Sequence, residues 1–117
     1  MRINLTQHTA LPEQECQPRT PELEQQVKSL LTFEELPTLD EIAERAKALT
    51  QIAADLGAAE AMIGGAPYLM IALDPALRMA GVQPVYAFSL RHSIDELQPD
   101  GSVVKRSAFK HCGFVRF

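Results

Sequence analysis

One stretch limits the folds open to this chain more than any other: Ala61-Met62-Ile63-Gly64-Gly65-Ala66-Pro67-Tyr68-Leu69-Met70. An apolar run reaches two glycines and a small residue. A proline then stands where the pattern puts the first position of a helix. Strand, tight turn and helix start in succession mark an α/β chain. The junction also presents free backbone N–H groups and the positive end of a helix dipole. That arrangement receives anions, phosphate foremost among biological ones. Gly64-Gly65 is neither a Walker loop nor a G-x-G-x-x-G fingerprint. A plain strand-to-helix turn favours glycine equally.

The rest of the chain falls into place around this junction. Residues 2–7 alternate as a short strand, with Ile3 and Leu5 on one face. His8 to Arg19, with Pro12 and Pro18, reads as a loop. Thr20-Pro21-Glu22 starts a helix whose apolar face is Leu23, Val27, Leu30 and Leu31. Pro37 ends it, and Thr38 or Asp40 opens a second helix that Gly57 closes. Ala59–Ile63 is a strand, Pro67–Ala80 a helix carrying Asp74-Pro75, and Val85–Ser89 a strand apolar on both faces. Arg91–Gln98 and Ser102–Phe109 flank Pro99-Asp100-Gly101 as a hairpin, and a final strand runs from Cys112 to Phe117. The expectation is a single Rossmann-like domain over residues 1–117. It would be a three-layer α/β sandwich with a mainly parallel sheet, right-handed crossovers and a C-terminal hairpin extension.

Length and charge exclude several functions. At 117 residues the chain builds one core without staples. A net charge of −4 argues against duplex nucleic acid as a partner. No apolar run approaches a membrane span, and the start lacks the apolar region of a signal peptide. Cys16 and Cys112 match no zinc or redox spacing, so they read as free thiols in a reducing cytoplasm.

Parallel sheets bind ligands beyond the carboxyl ends of their strands. That rule gathers Thr6-Gln7-His8, Gly64-Gly65-Ala66-Tyr68 and Ser89-Leu90-Arg91-His92-Ser93. Arg91 suits bidentate phosphate binding, and His8 suits proton transfer near neutrality. Thr6, Ser89 and Ser93 can donate to phosphate oxygens, and Tyr68 can stack on a base. Gln7 and Lys105 complete the candidate binding set. No carboxylate cluster and no close His/Cys spacing accompanies them, so no metal or cofactor is expected. A phosphodiesterase without metal needs a nucleophile already on its substrate. RNA has one in the 2′-hydroxyl, and its attack leaves a 2′,3′-cyclic phosphate.

Each residue has a plainer role available. His8 can brace the first loop, and Arg91 can pair with Asp95 or Glu96. Tyr68 can join the core, and Lys105 with Arg106 can line a solvated hairpin. His92 points away from Arg91 if the strand continues, and His111 can be an ordinary sheet residue.

A small chain of this build, with polar strand ends and no metal motif, resembles the CRISPR-associated Rossmann-fold group. Within it, the chain looks like the small stand-alone ring nucleases that degrade cyclic oligoadenylate. The residues behind the resemblance are Asn4-Leu5-Thr6-Gln7-His8, Gly64-Gly65 and Phe88-Ser89-Leu90-Arg91-His92-Ser93, within roughly residues 1–93. The resemblance implies a homodimer with a cyclic oligonucleotide over its two-fold axis. A nucleotide-binding sensor or sponge without turnover, and an interaction protein with no small ligand, are the other functions considered.

Overall fold

The computed structural model describes residues 1–117. Two of its three helices open on threonine caps. Thr20 accepts from the Leu23 amide ahead of α1 (Pro21–Leu31), and Thr38 accepts from the Glu41 amide ahead of α2 (Leu39–Asp55). α3 (Pro67–Met79) starts on proline and carries Pro75, whose missing N–H leaves one turn of the ladder open. Gly57 and Gly81 end α2 and α3 in the left-handed region.

The strands β1 (Arg2–Asn4), β2 (Glu60–Met62), β3 (Gln83–Leu97) and β4 (Val103–Val115) form one sheet in that order. β1, β2 and β3 are parallel, and β4 returns antiparallel along β3. Pairing runs slightly past the short strands, with the Leu5 amide donating to Met62 and the Ile63 amide to Val85. The chain is therefore α/β, and the three expected strands share a sheet. No helix is long and apolar enough to cross a membrane.

Three features differ from expectation. The strand order is sequential, so crossovers of one hand carry every helix over the same face. α1 packs on α2 and α2 on α3. One apolar cluster joins Val27, Leu49 and Leu73 of those helices to Ile3, Leu5, Ala61 and Ile63. There is one helical layer where a sandwich would have two. On the opposite face a 3₁₀ turn at Pro12–Gln14 meets the sheet, with Arg2 of β1 donating to the Gln14 carbonyl and the Gln14 side chain reaching His111 of β4. Secondly, β1 and β2 are only three residues each, shorter than the sequence pattern. Thirdly, Val85–Ser89 and the hairpin are not separate. β3 runs unbroken for 15 residues, and β4 absorbs the final strand through a bulge at Cys112. Beyond Ala87 the two strands leave the body as an arm. The molecule spans 55 × 33 × 28 Å with a radius of gyration of 16.8 Å. A compact chain of this length would have about 13 Å.

The helix-free face is closed by charge. Glu60 on β2 bonds Arg2 of β1 at 2.8 Å and Arg116, just past β4, at 2.9 Å. Arg2 lies over the Phe114 ring at 4.2 Å. Arg116, and then Arg2, hold the Glu60 carboxyl below the usual carboxylate range against the opposing effect of burial. This stabilisation is present above the ordinary carboxylate pKa and is lost as pH falls through the lowered one. Glu60→Gln should cost about 1–3 kcal/mol at neutral pH. Urea titrations should show wild type losing this margin on acidification below about pH 4, and the variant losing less. Equal acid sensitivity in both proteins would remove Glu60 from the account.

Candidate functional site

The first wall of the site is built on a buried asparagine. Asn4 ends β1 only 2% exposed, so its amide must be satisfied internally. Its Oδ1 accepts from the Thr6 amide (2.9 Å) and the Thr6 hydroxyl (2.6 Å), and its Nδ2 donates to the His8 carbonyl (2.7 Å). Arg19 clamps the same turn by donating to the carbonyls of Asn4, Thr6 and His8 at 2.8–3.1 Å. The backbone of residues 4–8 is thereby fixed, while the His8 side chain stands exposed at the rim. The Thr6 hydroxyl is committed within this turn and so is a weaker candidate for phosphate than its position implied.

The second wall is the glycine turn between β2 and α3. Gly65 has φ 147°, a conformation that L side chains rarely adopt, whereas Gly64 is unrestricted. A Cβ on Gly64 would sit 3.9 Å from the Thr6 methyl, which is ordinary contact. Gly64→Ala should therefore fold normally and intrude on bound ligand, weakening affinity. Gly65→Val should cost about 1–3 kcal/mol of stability through backbone strain. Thermal melts and ligand titrations separate the two effects. Unchanged affinity in folded Gly64→Ala would make the turn purely structural.

The third wall comes from β3 and the arm. Between these walls lies a cleft of about 680 Å³, bounded by Thr6, Gln7, His8, Gly64, Gly65 and Ser89, with Phe109 at its outer side. Its floor includes Met62 and Tyr86. The Tyr86 hydroxyl donates to Asp74 on α3 at 2.5 Å, and Arg78 donates to Asp74 at 2.7 Å. Burial, with help from the Asp74 bond, pushes Tyr86 up to about 12, so it keeps its proton at neutral pH. Arg78 and then Tyr86 hold Asp74 below its ordinary value. No group of three His, Cys, Asp or Glu side chains is placed to hold a metal ion.

The structure thus brings six of the proposed residues together: Thr6, Gln7, His8, Gly64, Gly65 and Ser89. The others lie outside the cleft lining. Ala66 caps α3. Tyr68 packs edge-on against Phe33 with ring centroids 5.5 Å apart. Arg91 does not end a strand, because β3 continues past it, and its guanidinium lies over Phe109 at 4.9 Å. Ser93 and Lys105 are farther along the arm. Alternation along β3 and β4 puts Arg91, Ser93 and Lys105 on the same arm face as Ser89 and Phe109, with His92 on the other. They continue the cleft wall outward rather than forming its floor.

Several contributors escaped the sequence reading. Phe109 gave no signal beyond an apolar residue near a strand end. Arg19 and Gln14 sit in what reads as a polar loop. Gln14 is 6% exposed and ties that loop to the arm through the His111 ring at 3.4 Å. His111 also tilts against Phe114 and is accounted for as a sheet residue. Asn4 carried the one usable signal, a polar residue inside an alternating apolar strand.

Over residues 1–115 the chain matches the family model described as Uncharacterized protein MJ1673 family. Neither the curated proteins nor the solved structures offer a match.

Proposed function

The chain belongs to the MJ1673 family, and from its cleft we propose a metal-independent phosphodiesterase acting on an RNA-type ligand, a cyclic oligonucleotide such as cyclic oligoadenylate. On this reading the parallel β1–β3 unit with its crossovers is a Rossmann-like ligand platform, and the protein is a ring nuclease. The observation behind it is the convergence of His8, the Gly64-Gly65 turn and Ser89 on one cleft at the carboxyl ends of β1 and β2 and beside β3. The glycine turn lets a phosphate approach the backbone at the start of α3. His8 moves a proton to or from the reacting oxygens. The substrate's 2′-oxygen attacks phosphorus, the bond to the 5′-oxygen breaks, and a 2′,3′-cyclic phosphate and a 5′-hydroxyl result. The arm face carrying Arg91, Ser93 and Lys105 holds the ligand beyond the scissile phosphate.

The position of Arg91 favours a second reading. Its guanidinium is stacked on Phe109 and outside the cleft lining, which supports a role in binding rather than in transition-state stabilisation. A sensor or sponge that binds the nucleotide without turnover needs nothing more. Incubation with linear and cyclic oligonucleotides in the presence of chelator distinguishes the two. Chain cleavage supports the enzyme, and binding without products supports the sponge. Neither binding nor cleavage contradicts both.

A further inference from the structure

We infer that the free edge of β3, from Phe88 to Leu97, pairs antiparallel with the same edge of a second copy of this chain. The inference rests on the arm alone and is independent of the phosphodiesterase reading.

β2 occupies that edge of β3 only from Gln83 to Val85. Farther out, β3 and β4 form a two-stranded ribbon with both faces in solvent. A ribbon of that kind is marginal in water unless more strands or a packing partner join it. The arm also exposes apolar side chains that a solvated ribbon would not need: Phe88 at 52%, Leu90 at 54% and Leu97 at 74%. Two of the usual guards of an edge strand, a proline and a bulge, are missing from this stretch of β3. It has no proline beyond Pro84, and the bulge residue, Cys112, belongs to β4.

Charge identifies the occupant. Along β3 the cation Arg91 lies toward the body, and the anions Asp95 and Glu96 lie toward the tip. Antiparallel self-pairing about Ser93 sets Arg91 opposite Asp95 of the second copy, and symmetry repeats the pair. Cross-strand opposite charges favour pairing, and like charges oppose it. The other edge behaves in the opposite way. β4 carries Lys105, Arg106 and Lys110 and no acid, so two β4 edges repel. The two-fold axis stands perpendicular to the joined sheet, which keeps equivalent faces together. Ser89, Arg91 and Ser93 of both copies then share one face, running from one cleft to the other.

Sedimentation equilibrium provides the test, with circular dichroism to confirm folding. Wild type should be a dimer at micromolar concentration. Asp95→Arg and Arg91→Glu should each weaken it by roughly tenfold or more, because each turns two favourable pairs into like-charge pairs. An equal mixture of the two variants restores both pairs and should regain the dimer. Lys110→Glu, on the other edge, should leave it unchanged. A monomeric wild type, a dimer indifferent to both β3 variants, a mixture no tighter than its components, or a loss with Lys110→Glu would each overturn the proposal.

Discussion

Replacing His8 by alanine should leave ligand affinity nearly unchanged and lower turnover by about 10²–10⁴-fold, the usual cost of removing a general acid–base group. The structure sharpens this expectation. The Thr6–His8 turn is pinned by Asn4 and Arg19 through backbone atoms, and none of those bonds uses the imidazole. The substitution therefore removes the proton-transfer group without loosening the wall. Single-turnover kinetics alongside equilibrium binding would separate the two parameters. Near-wild-type cleavage by His8→Ala would remove it from the mechanism and turn attention to Ser89.

Asn4→Ala should have the largest effect on stability, about 2–4 kcal/mol, because it deletes three hydrogen bonds and strands the Thr6 amide in a buried site. Asn4 touches no ligand on this account, so its role is to position His8. Assayed below its melting temperature, the variant should lose kcat far more than KM. A purely structural Asn4 would lower the melting temperature and leave the kinetics of the folded fraction intact. Arg91→Ala should act differently, weakening binding with a deficit that is largest at low salt and shrinks as salt screens the charge.

Local chemistry was legible in the sequence. The caps Thr20 and Thr38, the stops Gly57 and Gly81, and the Pro99-Asp100-Gly101 turn are signals read within a few residues, and the helices and hairpin form where those signals lie. The arm was not. β3 passes from buried to solvated after Tyr86, its fourth residue of 15, and its composition changes from Val85-Tyr86-Ala87 to Arg91-His92-Ser93 while the strand continues. Hydrophobic patterning reports burial, so it ends a strand where the core ends. The expected separation of the Val85–Ser89 strand from the hairpin, and with it the placement of Arg91 just past a strand end, came from that confusion. Strand order has the same cause. Which neighbours pair is decided by long-range packing, and only that order reveals that all helices lie on one face. For the site, the β1 and β2 ends were readable because each strand stops at its turn. Arg19 and Gln14 were not, because their partners lie 13 and 97 residues away in sequence.

The central claim is that the cleft holds a phosphodiester and lets the substrate's own 2′-oxygen do the attack. The most direct measurement compares a cyclic oligoribonucleotide with its 2′-deoxy counterpart, both with chelator, following binding by calorimetry and products by mass spectrometry. The account predicts that both bind, that the ribonucleotide opens to a chain ending in a 2′,3′-cyclic phosphate, and that the deoxy ring stays intact. Equal cleavage of the deoxy ring, or binding of neither, would contradict it.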